Sequence, residues 1–107
     1  MDIRETAKEI HANATDHGWH EIDRSALENH ALFHSEIAEA TESVRNNEVP
    51  LWRDNDGKYQ GEAIELADCV IRIFDYFEWR GWNIEECLRL KMEYNKTRPY
   101  RHGGKKY

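Results

Sequence analysis

The sequence predicts an all-α protein, most simply a four-helix-type bundle. Three observations predict it. Apolar residues recur at spacings of three and four along most of the 107 residues. A serine or asparagine followed three residues later by glutamate marks two helix starts. Glycine and proline fall between the periodic stretches and not inside them. No strand-like alternation, internal repeat or low-complexity segment interrupts this pattern.

The first helix is expected over roughly residues 2–16, with Ile3, Ala7, Ile10 and Ala14 on one face, and it stops near Gly18. The second begins at Ser25, where Glu28 completes a capping box, and runs to about Asn46–Asn47. Pro50 prevents its return. "VPLWRDNDGKYQG", Val49 to Gly61, is a loop. Its "DNDG" is a turn and not a calcium loop: with Gly57 at the sixth position, the first and twelfth would be Trp52 and Ala63, neither a ligand. The third helix covers roughly Glu62–Trp79 and ends at Gly81. Its apolar stripe is Ile64, Ala67, Val70, Ile71 and Phe74. The fourth starts at Asn83 and continues to about Thr97, and Pro99 keeps it from extending. Residues 1–98 thus read as one helical domain and 99–107 as a basic tail.

Length and composition bound the rest. One domain fits in 107 residues, and two do not. A hydrophobic fraction of 39% and a mean hydropathy of -0.94 leave a modest core, so a second subunit is expected to complete it. No apolar run can span a membrane, and the opening "MDIRETAKEI" is no signal peptide. Cys69 and Cys87 have no metal or redox spacing and read as reduced thiols of a cytoplasmic protein.

The net charge of -6 is uneven. Residues 89–107 hold seven basic side chains against one acid, while residues 1–88 hold 8 basic and 20 acidic. An acidic body with a basic end lacks the broad basic face of a duplex nucleic-acid binder. It suits a place where metal ions and phosphates meet. A solvated tail is the plain alternative.

The acids carry the chemistry. In "ALFHSEIAEAT", Ala31 to Thr41, Glu36 and Glu39 sit three apart among apolar and small residues. In "EAIELADCVIRIFDYF", Glu65 and Asp68 repeat the arrangement. Residues three apart share a helix face, so two such helices can gather four carboxylates. Clustered carboxylates repel and stay ionised only with cations among them. All-oxygen ligation suits Mg²⁺, with Mn²⁺ as a substitute, and Mg²⁺ commonly shares its sphere with phosphates. Chance pairing is the plain alternative in a chain with 21 acids. Glu42 and Asp75 extend the acidic faces and read as supporting or surface groups.

On the fourth helix Ile84, Leu88, Lys91, Asn95 and Arg98 form one stripe that turns from apolar to basic, as at the mouth of an anion pocket. A helix C-terminus also favours basic residues. His30 and His34 are four apart, but no H-E-x-x-H or E-x-x-H is present, so ordinary packing or polar contacts suit them. Phosphate-loop and dinucleotide glycine motifs are absent.

Glu36-x-x-Glu39, a 25-residue gap and Glu65-x-x-Asp68 resemble the MazG-like all-α nucleoside triphosphate pyrophosphohydrolases, whose pattern is E-E-x-x-E, a gap, then E-x-x-D. "HSEIAEATESVR", "GEAIELADCVIRIFDY" and "KMEYNKTRPYRHGGKK" look like the single-domain phage and bacterial members, and the resemblance covers about residues 8–106. It implies a helical homodimer or homotetramer that uses Mg²⁺ to split a nucleoside triphosphate between its α- and β-phosphates. It implies Glu36, Glu39, Glu65 and Asp68 as metal-binding catalytic residues, and Lys91, Asn95, Lys96 and Arg98 as phosphate-binding. Trp19 and Trp52, in the loops around the second helix, are candidates to stack on the base or simply to pack. Ser35 stands where the family pattern has its first glutamate. A nucleotide-binding or partner-binding bundle without turnover, and a purely structural oligomer, are the alternative expectations.

Overall fold

A computed structural model gives the fold of the chain over residues 2–99. Four helices carry it: α1 (Ile3–Asp16), α2 (Ala26–Arg45), α3 (Glu62–Trp79) and α4 (Ile84–Lys96). Local chemistry sets their ends. The Asp2 side chain accepts from the Glu5 N–H and opens α1. Ser25 and Glu28 close a reciprocal capping box at α2, at 3.1 and 3.2 Å. The Asn83 side chain accepts from the Glu86 N–H at α4.

Three short elements lie outside the four expected helices. A 3-10 turn spans Trp19–Glu21. Two-residue strands β1 (Trp52–Arg53) and β2 (Tyr59–Gln60) pair antiparallel. No alternation announces them, because two residues are too few to show a period. The turn between them is held by Asp54, which accepts from the Asp56 and Lys58 N–H groups and from the Gln60 amide. The bonds from Gln60 and Lys58 hold its carboxyl below the usual range.

Gly61 is the sharpest point of the chain. Its φ of 111° lies in a region that L side chains rarely adopt, and a Cβ there would strike the Pro50 carbonyl. The close approach lets the Ala63 N–H reach that same carbonyl at 3.0 Å.

α3 is the central helix. It packs on α2 along one side and on α1 along another, while α1 and α2 make no close backbone approach to each other. Buried Tyr76 is the aromatic hub, with Phe33 and Trp82 edge-on at 5.6 and 5.8 Å. α1 buries the face read from sequence: Ala7 is buried, and Ile3, Ile10 and Ala14 are half-buried. α3 departs from expectation. Ala67, Val70 and Ile71 are exposed, and the buried residues are Cys69, Asp75 and Tyr76. Its flanking helices cover a face turned from the apolar stripe, toward its histidine and arginine partners. α4 touches the rest only lightly, at α1 and α3. Ile84 is buried, but Leu88, Lys91 and Asn95 are exposed, so the stripe does not face inward along its length. No large side chain among the described residues is fully buried. No helix among them is long and apolar enough to cross a membrane. All but the first residue of the basic tail, that is residues 100–107, lies outside the described residues.

Candidate metal centre

The pairing of α2 with α3 brings the acids together. One carboxylate oxygen each from Glu36, Glu65 and Asp68 lies within 4.8 Å of the others. Glu39 sits beside them and shares a hydrogen bond with Glu65. Glu36 is buried, Glu65 half-buried, and Glu39 and Asp68 exposed, so the cluster runs from the interior to solvent. Burial pushes the Glu65 carboxyl up, and the bond and charge of Glu39 and the charges of Asp68 and Glu36 push it further. A carboxyl raised by burial and by three acidic neighbours marks a place where negative charge exceeds its compensation.

One cation of the protein answers part of that charge. Arg72 Nε donates to Glu36 Oε1 at 2.6 Å. The other oxygen, Glu36 Oε2, is buried and has no partner among the described residues. A buried carboxylate oxygen with nothing to accept from is costly, and a cation between Glu36, Glu65 and Asp68 would satisfy it. The donor set is all oxygen, which fits Mg²⁺ or Mn²⁺. The neighbouring Cys69 thiol is raised by burial and by the Glu36 charge, and donates to the Phe33 carbonyl at 3.6 Å. It is no thiolate ligand.

Asp68 also lines a groove of about 490 Å³ between α1 and α3. Ile10, Asn13 and Ala14 form one wall, Ile71, Arg72 and Asp75 the other, and Trp19 lies against it. Ligand pockets for small molecules are commonly of about 300–1,000 Å³. The groove therefore meets the acids at Asp68 and Arg72.

The other expected site residues fall elsewhere. Trp19 lines the groove, but the Arg24 and Arg72 guanidinium carbons lie 4.1 and 4.5 Å from its ring centroid. A stacking base competes with those cations. Trp52 does not line the groove, and its indole N–H donates to Glu48 at 2.9 Å. Lys91, Asn95 and Lys96 are exposed and Arg98 is half-buried. None of the four lines the groove or forms an ion pair with the acids among the described residues. Ser35 is exposed and its hydroxyl donates to the Leu32 carbonyl at 2.7 Å. Glu42 is exposed. Asp75 is neither surface nor part of the acid cluster: it is buried and held by His11 and His20. The ring of His30 packs 6.0 Å from that of Tyr76, as expected of a packing histidine. Cys69 and Cys87 are both free.

Sequence reasoning passed over Arg72. Its spacing offered the signal, four residues after Asp68 and seven after Glu65, on the same helix face. His11 and His20 gave none, because their partner Asp75 is more than fifty residues away. No family model, no curated protein and no solved structure matches this chain.

Proposed function

We propose that the protein is a Mg²⁺-dependent nucleoside triphosphate pyrophosphohydrolase of the MazG-like kind, releasing a nucleoside monophosphate and pyrophosphate. The observation that carries the reading is the convergence of Glu36, Glu65 and Asp68 around an unpartnered buried oxygen, beside a groove that Asp68 also lines. The sequence resemblance supplies the reaction. Mg²⁺ held by these acids would supply positive charge to the phosphates and a more acidic water.

The chain's own residues do the remainder. Glu36, Glu39, Glu65 and Asp68 hold the ion. Arg72 fixes the Glu36 carboxylate in one orientation through its 2.6 Å bond. The Glu65 carboxyl, raised by burial and its acidic neighbours, must ionise before it can ligate, so affinity for the ion falls in acid. The groove receives the nucleoside and sets the α-phosphorus against the acids. Glu39 is exposed and Glu36 is tied to Arg72, so Glu39 is assigned the proton of the attacking water. Lys91, Asn95, Lys96 and Arg98 are assigned the phosphates, and an α4 from a second copy is the way they reach them. The exposed apolar residues Ile37, Val44, Leu66 and Val70 on α2 and α3 favour that homodimer or homotetramer. A cytoplasmic setting, with both thiols reduced, belongs to the same proposal.

Purified protein with Mg²⁺ should release pyrophosphate, and not orthophosphate, from some (d)NTP. Glu39→Gln and Asp68→Asn should abolish this with the helical circular dichroism intact. Orthophosphate release, or an undiminished variant, refutes the activity. A monomeric mass in light scattering at micromolar protein refutes the oligomer. Ser35, where the family pattern has an acid, favours a second reading as a nucleotide-binding bundle without turnover. Tight (d)NTP binding with no pyrophosphate would mark it.

A further inference from the structure

A second cluster lies in the wall of the groove at Asp75, and its chemistry differs from that of the acids. α1 contributes His11, the 3-10 turn contributes His20 and α3 contributes Asp75. Asp75 Oδ1 accepts from His11 Nδ1 at 2.7 Å and from His20 Nε2 at 2.9 Å. The two imidazole centroids are 5.0 Å apart and tilted by 54°, as two rings converging on one point must be. The Asp75 side chain is only 6% exposed, and no lysine or arginine pairs with it among the described residues. The adjacent Arg72 is committed to Glu36. A buried carboxylate answered only by imidazoles needs a positive charge, from a protonated ring or from a metal ion.

We propose that His11, His20 and Asp75 form a binding site for a borderline divalent transition ion of the zinc type, separate from the all-oxygen site. Two imidazoles and one carboxylate are a donor set that such ions take, with water completing the sphere. The size is right. Ligand atoms on a tetrahedral ion with bonds of about 2.0–2.1 Å are about 3.3–3.4 Å apart. The observed 2.7 and 2.9 Å separations open to that with shifts of about half an ångström, within side-chain torsional play. His11 binds through Nδ1 and carries its proton on Nε2; His20 binds through Nε2 and carries its proton on Nδ1. His11 is 30% exposed and Asp75 lines the groove, so the ion has a way in. Bound there, it ties α1 and the turn after it to α3.

The test uses the untagged full chain, Zn²⁺ as the only transition ion, and excess Mg²⁺ to compete for the acids. Equilibrium dialysis should find one Zn²⁺ per chain, and Asp68→Asn should retain it. His11→Gln and His20→Gln should each weaken Zn²⁺ binding by more than about tenfold, the loss seen even for outer partners of a metal site. The wild-type chain supplies an independent readout if a variant fails to fold. Imidazole nitrogen NMR should show His11 and His20 exchanging tautomer on addition of Zn²⁺. No stoichiometric Zn²⁺, binding undiminished in both histidine variants, or His11 and His20 signals that do not respond would each overturn the proposal. The three side chains would then be a hydrogen-bonded clamp alone. None of these outcomes depends on nucleotide hydrolysis.

Discussion

Replacing Glu65 with glutamine should stabilise the metal-free protein and abolish its response to Mg²⁺. Glu65 presents an oxygen within 4.8 Å of one from Glu36 and one from Asp68. At that separation two unit charges repel by about 3.5 kcal/mol in an effective dielectric of ~20 and by about 1 kcal/mol in water. Asp68 is exposed, so its share lies near the lower figure. Glu36 is buried, but Arg72 cancels part of its charge. The Glu65 carboxyl is already raised, which relieves some repulsion by protonation. Glutamine keeps the shape and can still bond to Glu39. The net gain is roughly 1–2 kcal/mol. At roughly 4–8 °C per kcal/mol for a domain of this size, the melting midpoint should rise by about 5 °C or more. Mg²⁺ at about 100 times its dissociation constant adds about 2.7 kcal/mol to the wild type, and to the variant nothing comparable. Thermal melts followed by circular dichroism, first in chelator and then with Mg²⁺, measure both effects. A lower metal-free midpoint for the variant, or an unchanged Mg²⁺ shift, refutes the reasoning.

The same group sets a pH dependence. Its folded pKa lies above the unfolded value of 4.5, so the folded state holds the proton more tightly. Its contribution to metal-free stability is greatest below 4.5 and is lost as pH rises from there through the folded value. Melts of wild type against Glu65→Gln across that window should converge toward acid, and Mg²⁺ should reverse the sign of the difference at higher pH, where the acids are free to bind it. Arg72→Ala leaves Glu36 buried with neither oxygen partnered, and should cost about 1–3 kcal/mol in metal-free urea denaturation. Lysine at that position should restore only part, having no planar fork; a neutral result for alanine would show that water serves Glu36 as well. Gly61→Ala combines a φ of 111° with a collision against Pro50, and should cost more than about 2 kcal/mol. An unchanged denaturation midpoint would mean that the turn relaxes freely.

What the sequence made legible was local. The Ser25–Glu28 box and the Asp54 turn join residues a few positions apart, and each is found as expected. What it hid depends on which face of α3 meets which neighbour. Ala67, Val70 and Ile71 look like core by periodicity, yet they are exposed, while Asp75 is buried. Period alone gives the faces of a helix and not their neighbours, and here the neighbours of buried Asp75 are two histidines far away in sequence. α4 misled for a related reason. Its stripe is real, but one chain offers it little to pack on.

Gly61 has one more consequence. The Ala63 N–H at the start of α3 meets the Pro50 carbonyl, so the chain closes on itself across the base of the β1–β2 hairpin. The hairpin is closed by its own bonds from Asp54. Residues 51–60 thus form a self-closed excursion that rests on α3 through β2. A short insertion at Asn55, exposed at its tip, should leave the helical circular dichroism of the chain intact.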